Sequence, residues 1–107
     1  MACPEVLTGS VEIPGENYAR IQAAVDKGEN LWRLSPLRTA QMIGSAHLGL
    51  RMNDVYTLVE QYRDPGSGLP HAVVRVQHLS CTYLVELYQP QRRGQGGIWV
   101  VQSVTEL

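Results

Sequence analysis

The sequence predicts an α+β domain in which two helices pack on one face of a four-stranded, antiparallel, curved sheet. Three observations carry this. Apolar residues recur at helical spacing between residues 17 and 48, the period switches from 3.6 to 2 after Met52, and the strand-like runs then follow one another across short, turn-rich connections. Strands in an unbroken run pair as hairpins, whereas parallel pairs need a crossover of a dozen or more residues. A chain of 107 residues has room for one core, so residues 1–107 are expected to form a single domain.

Residues 1–15 read as an irregular leading segment, with "VEIPG" as a short extended piece ended by the Pro14-Gly15 turn. Helix one is predicted over 16–27: Tyr18, Ile21 and Val25 share a stripe, Ala23 and Ala24 favour helix, and Gly28 stands where a left-handed C′ residue belongs. Helix two is predicted over 36–48, with Ser35 as N-cap and Pro36 at the first helical position, where its missing N–H costs nothing. Leu37, Ala40, Gly44 and Leu48 form its stripe, Ile43 and His47 lie beside it, and Gly49 stops it. A mid-helix glycine costs roughly 1 kcal/mol relative to alanine, so Gly44 predicts a close packing partner. Trp32 and Leu34 precede the cap, where a bulky apolar residue packs back on the first turn. Trp32 is therefore read as the anchor of helix two rather than as a hook for a ligand.

Strands are predicted over 55–63, 71–78, 81–89 and 98–104. The first closes with the "DPGSG" turn, only Leu79-Ser80 joins the middle two, and a loose loop, "PQRRGQGG", precedes the last. The middle hairpin has a definite register. If His78 faces Cys81, then Val76 faces Tyr83, Val74 faces Val85 and Ala72 faces Leu87, all on one side, which is the predicted core beneath the helices. The other side pairs Gln77 with Thr82, Arg75 with Leu84, Val73 with Glu86 and His71 with Tyr88; a slip of one residue would invert both faces. That outer side is mixed, because Val73, Leu84 and Tyr88 interrupt the charges. The last strand is apolar on both faces and adds either Trp99 and Val101 or Ile98 and Val100. A plain solvent-facing sheet is more polar than this. Partial cover by a second copy, a terminal segment or a ligand is expected, with Val73, Leu84, Tyr88 and Trp99 as the candidate partner surface.

The net charge of −1 argues against nucleic acid as a partner, since phosphate binding needs clustered positive charge and Arg92-Arg93 is the nearest approach to a cluster. No apolar run approaches the roughly 18–20 residues of a membrane-spanning helix, and direct membrane insertion is not expected. No secretory hydrophobic region opens the sequence, so the start reads as cytoplasmic, or as extracytoplasmic after loss of a leader. Cys3 and Cys81 are the only two cysteines; they are compatible with one disulfide or with free thiols, and form no CxxC. His47, His71 and His78 have no HxH or HExxH spacing, and no cofactor motif is present, so neither a metal nor a cofactor is expected. The "GQGG" at 94–97 precedes a strand and carries no phosphate-binding meaning. Cys81 beside His78 has the look of a thiol with a base, yet at a tight hairpin turn a cysteine is ordinarily a small hydrophobe.

An ααββββ order also suits the cystatin-like and nuclear-transport-factor-like folds, in which a strongly curled sheet opens a cone against the helices. His47, Tyr18, Tyr56 and Tyr83 are the residues best able to project into such a cone, and the plainer reading is that they fill the core. The pattern Gly28-x-x-x-Trp32-x-Leu34-x-Pro36, a helix ending "LGL", then "AVVRVQH", "YLVELYQP" and "GGIWVVQSV", resembles small uncharacterised domains of Gram-positive, spore-forming bacteria over roughly residues 20–104. In that group the position of Ser35 is often aspartate, an equally good cap. The resemblance implies an extracytoplasmic role and supplies no catalytic residue. The leading expectation is a non-enzymatic binding or assembly module that self-associates or meets a protein through its outer sheet. The alternative is a small-ligand binder or minor enzyme using the cone.

Overall fold

A computed structural model describes residues 3–107. Its architecture is α+β, with two α-helices and an open antiparallel sheet of five strands in the order β1-β5-β4-β3-β2. The strands are β1 (Gly9–Ser10), β2 (Val55–Arg63), β3 (Pro70–His78), β4 (Cys81–Tyr88) and β5 (Val100–Glu106). The helices are α1 (Tyr18–Asp26) and α2 (Pro36–His47), and a 3-10 turn covers Leu31–Leu34.

The middle hairpin has the register read from its alternation: His78 faces Cys81, Val76 faces Tyr83, Val74 faces Val85 and Ala72 faces Leu87. All eight of these side chains are buried. Ala40, Ile43 and Leu48 of the second helical segment pack on them, together with Leu50, Trp99 and Val101. The predicted close neighbour of Gly44 is present too, since a Cβ there would lie 2.9 Å from Leu50 Cδ1 and 3.4 Å from the Tyr56 hydroxyl. The Ser35 side chain accepts a hydrogen bond from the Arg38 N–H, and Pro36 sits in the first turn. Trp32 packs against the core, its carbonyl accepting from the Thr39 hydroxyl inside α2. It is the anchor its position suggested.

Four expectations change. The sheet has a fifth strand: two residues of the segment read as irregular pair with β5, Gly9 opposite Val104 and Ser10 opposite Ser103, and Val11 N–H extends the contact to the Gln102 carbonyl. A Gly-Ser pair has no side-chain alternation to announce a strand. The last strand starts at Val100 rather than 98, because the Gln22 side chain takes the Ile98 N–H and the Arg33 carbonyl takes the Trp99 N–H, removing both from the β4 ladder. The 90–97 loop is not loose. Gln89, 1% exposed, donates to the Gly94 and Gly97 carbonyls and accepts from the Gly94 N–H, while Arg92 makes a two-pronged bond to Asp26.

The helices, finally, do not share one face. Val25, Ile21 and Tyr18 of α1 pack on Ile98, Val100 and Tyr88, a cluster separate from the main core. Tyr88 and Val100 are directly opposed, next to the core pair Leu87 and Val101, so they point to the other side of the sheet. α1 thus covers one end of the outer face, which supplies part of the cover its apolar residues called for.

Candidate functional site

Two polar clusters and one exposed surface are the features with chemical potential. The first cluster lies where the N-terminal segment crosses the end of the β3–β4 hairpin. Cys3 is joined to Cys81 by a disulfide. Two residues on, the Glu5 carboxylate meets His78 Nε2 at 2.7 Å, while Asp54 takes His78 Nδ1 at 2.6 Å. The His78 side chain is 1% exposed, that of Asp54 6%, and that of Glu5 46%. Asp54 is itself fixed by accepting from the Arg51 N–H in the turn that leads into β2. The crossing requires glycine at position 49: its φ is +84°, and a Cβ would sit 2.0 Å from the Glu5 carbonyl oxygen. Leu7 N–H bonds to the Leu48 carbonyl and closes the crossing.

With a carboxylate on each ring nitrogen, His78 is held as an imidazolium donating twice. Burial opposes that charge, yet the hydrogen bonds to Glu5 and Asp54 outweigh it and raise the pKa above the ordinary 6.5. The contact with His78 holds Glu5 below its ordinary 4.5. A raised histidine contributes stability that is complete below the unfolded value and lost as pH rises through the folded one. A lowered glutamate contributes above its unfolded value and loses that as pH falls through the folded one. Both act together between 4.5 and 6.5. Thermal unfolding scanned over pH is expected to show a decline above this window that His78→Gln abolishes. An unchanged profile in the variant would refute the clamp. The pairing of Cys81 with His78 as nucleophile and base has no place here, since the sulfur is bonded to Cys3 and the imidazole has no free nitrogen.

The second cluster is on the outer face. Tyr62 O–H donates to Glu86 Oε2 at 2.6 Å, and His71 Nδ1 meets the same oxygen at 2.8 Å. Tyr62 and Tyr88 flank the His71 ring at 5.2 and 5.7 Å between centroids. The bond to Glu86 comes first among the causes that push the Tyr62 pKa up to about 12. One carboxylate therefore ties β2, β3 and β4 together.

The residues singled out for a cone do not converge. Tyr83 is in the core, 1% exposed, with its hydroxyl toward the Cys3 carbonyl at 3.4 Å. Tyr56 is half-buried and donates to the Arg51 carbonyl. Tyr18, the first residue of α1, packs in the same cluster as Tyr88 on the other face, where burial first of all raises its pKa to about 12. His47 is exposed at the end of α2, facing the 10–14 segment across a cleft of about 220 Å³. Of the partner-surface residues, Val73 and Leu84 are half-buried on the open outer face, and Tyr88 is partly covered by α1. Trp99 is 6% exposed and belongs to the core, so it offers no surface. Reading along the chain missed Glu5 and Asp54, which stand 73 and 24 residues from His78. No local spacing marks such contacts.

The exposed surface is the edge strand β2 and the outer face beside it. Val55, Leu58 and Val59 are 63%, 38% and 53% exposed, with a register shift between Leu58 and Glu60. Val55 continues into a shallow groove of about 520 Å³ with Thr57, Arg75, Gln77, Thr82 and Leu107. Among the described residues no helix is long and apolar enough to cross a membrane. No protein-family model matches the chain, and no curated protein or solved structure matches it. The fold and these surfaces define a small α+β domain with a bridged N-terminal segment and a long, exposed edge strand, β2.

Proposed function

We propose that the protein is a non-catalytic binding and assembly module whose partner, in the first place a second copy of the chain, adds to the sheet along β2 and the adjoining outer face. One observation carries this: a nine-residue edge strand that opens with five uncharged residues, Val55 to Val59, three of them exposed aliphatics. Edge strands that stay single are usually short or guarded by lysine, proline or inward charge. β2 contains neither lysine nor proline, and its charges, Glu60 and Arg63, stand in its second half beyond the bulge, leaving Val55 to Val59 unguarded. Addition of a strand satisfies the unpaired backbone groups, and the apolar side chains supply register. The disulfide supports placement in an oxidising compartment, in keeping with the extracytoplasmic role implied by the family resemblance.

Sedimentation at micromolar concentration is expected to show a dimer that Val59→Lys converts to a monomer without lowering the melting temperature. A wild-type chain that remains monomeric throughout that range would remove the self-association reading.

A further inference from the structure

We propose that the chain with its disulfide reduced holds a zinc ion at the hairpin end, with Cys3, Cys81, His78 and Glu5 as the four ligands. His78 and Cys81 are directly opposed across the β3–β4 turn with their side chains on one face, and the N-terminal segment lays Cys3 and Glu5 over them. Cys3 sulfur, a Glu5 carboxylate oxygen and a His78 ring nitrogen all lie within 4.8 Å of one another. The sulfur of Cys81 is bonded to that of Cys3, next to this group of three. Tetrahedral zinc, with bonds of about 2.0–2.3 Å to nitrogen, oxygen and sulfur, spaces its ligands by roughly 3.3–3.8 Å. Cys3, Glu5 and His78 are thus within about 1 Å of those spacings, and Cys81 takes the fourth position once reduction lets the two sulfurs part.

The donor types point the same way. Two thiolates, an imidazole and a carboxylate suit a borderline-soft ion, and do not suit magnesium or calcium, which take oxygen. Asp54 completes the arrangement from behind the histidine. It holds His78 Nδ1 at 2.6 Å from a nearly buried position, which fixes the tautomer and turns Nε2 toward Glu5, beside the Cys3 sulfur. A carboxylate behind the histidine, with the other ring nitrogen aimed at the metal, is the arrangement that orients metal-binding histidines.

A dithiol reductant gives two electrons and two protons to the Cys3–Cys81 bond, is oxidised to its own disulfide, and leaves two thiols. Zinc then displaces both thiol protons and the Nε2 proton of His78 to solvent, while the Nδ1 proton stays in its bond to Asp54. The same four residues hold the N-terminal segment in either form, by a covalent bond when oxidised and by the metal when reduced.

The test uses the full chain, reduced, exposed to zinc or cobalt(II) and desalted. Elemental analysis should find one zinc per reduced chain and none per oxidised chain. Cobalt should give the intense visible bands of a tetrahedral site with thiolate charge transfer in the near ultraviolet. Asp54→Asn should weaken zinc binding by about 10–100-fold, and zinc should raise the melting temperature of the reduced wild-type chain. Retention of no zinc by the reduced chain would overturn the proposal. So would an Asp54→Asn variant that binds as tightly as wild type, because thiols alone would then account for the metal. A reduced chain that loses its circular dichroism and does not regain it with zinc would overturn it equally.

Discussion

Replacing Cys3 and Cys81 together with alanine is expected to lower the unfolding free energy by about 4 kcal/mol. The cross-link joins residues 78 apart, so it closes most of the chain into one loop. A loop of that size removes a large share of the denatured chain's freedom, and the entropy model puts the effect at roughly 4–5 kcal/mol at 25 °C. In a domain of this length each kcal/mol moves the melting temperature by about 4–8 °C, which sets the expected fall at roughly 15–30 °C. Urea titration checks it, and the slope should steepen as well, since an uncrosslinked unfolded chain exposes more surface. A loss below about 1 kcal/mol would mean that the N-terminal segment contributes little to the fold. Because Glu5 and His78 remain in the double variant, its pH profile should keep the decline above 6.5 that the clamp produces.

That the bridge spans the chain explains why so little of this site can be read from one dimension. The hairpin was legible because alternation over eight positions on each side of a two-residue turn leaves one register that buries every apolar residue. The helices were legible from caps and stripes. Cys3 and Cys81 admitted a disulfide without requiring one, and nothing near His78 pointed to Glu5 or Asp54. The placement of α1 was hidden for a different reason. A nine-residue amphipathic helix can lie on either side of a strand that is apolar on both faces, and residues 98–101, Ile-Trp-Val-Val, form such a stretch. The choice is made by the Gln22 amide, which donates to the Gly96 carbonyl and accepts from the Ile98 N–H. A buried glutamine on a helix thus acts as the missing neighbour of an extended segment, and the hydrophobic pattern does not see it.

The same ambiguity makes Trp99→Ala the second decisive experiment. A tryptophan on a partner surface and one in the core predict opposite results. Trp99 is 6% exposed and packs within the main cluster on the α2 side. Truncation should therefore cost about 3–5 kcal/mol through the cavity it leaves. The backbone bonds that fix its position, from its N–H to the Arg33 carbonyl and from Arg33 Nη1 to its own carbonyl, do not involve the indole and survive the change. The loss should thus appear as stability alone, with the proposed self-association through β2 intact at temperatures where the variant is folded. Leu84→Ala, on the open outer face, is the control and should cost about 1 kcal/mol or less. Intrinsic fluorescence gives an independent reading, because the variant retains only half-buried Trp32 and should emit at longer wavelength than wild type. If Trp99→Ala instead kept wild-type stability and abolished dimerisation, the indole would have to face the partner. The packing of β5 against α2 would then be wrong, along with the assignment of β2 as the docking edge.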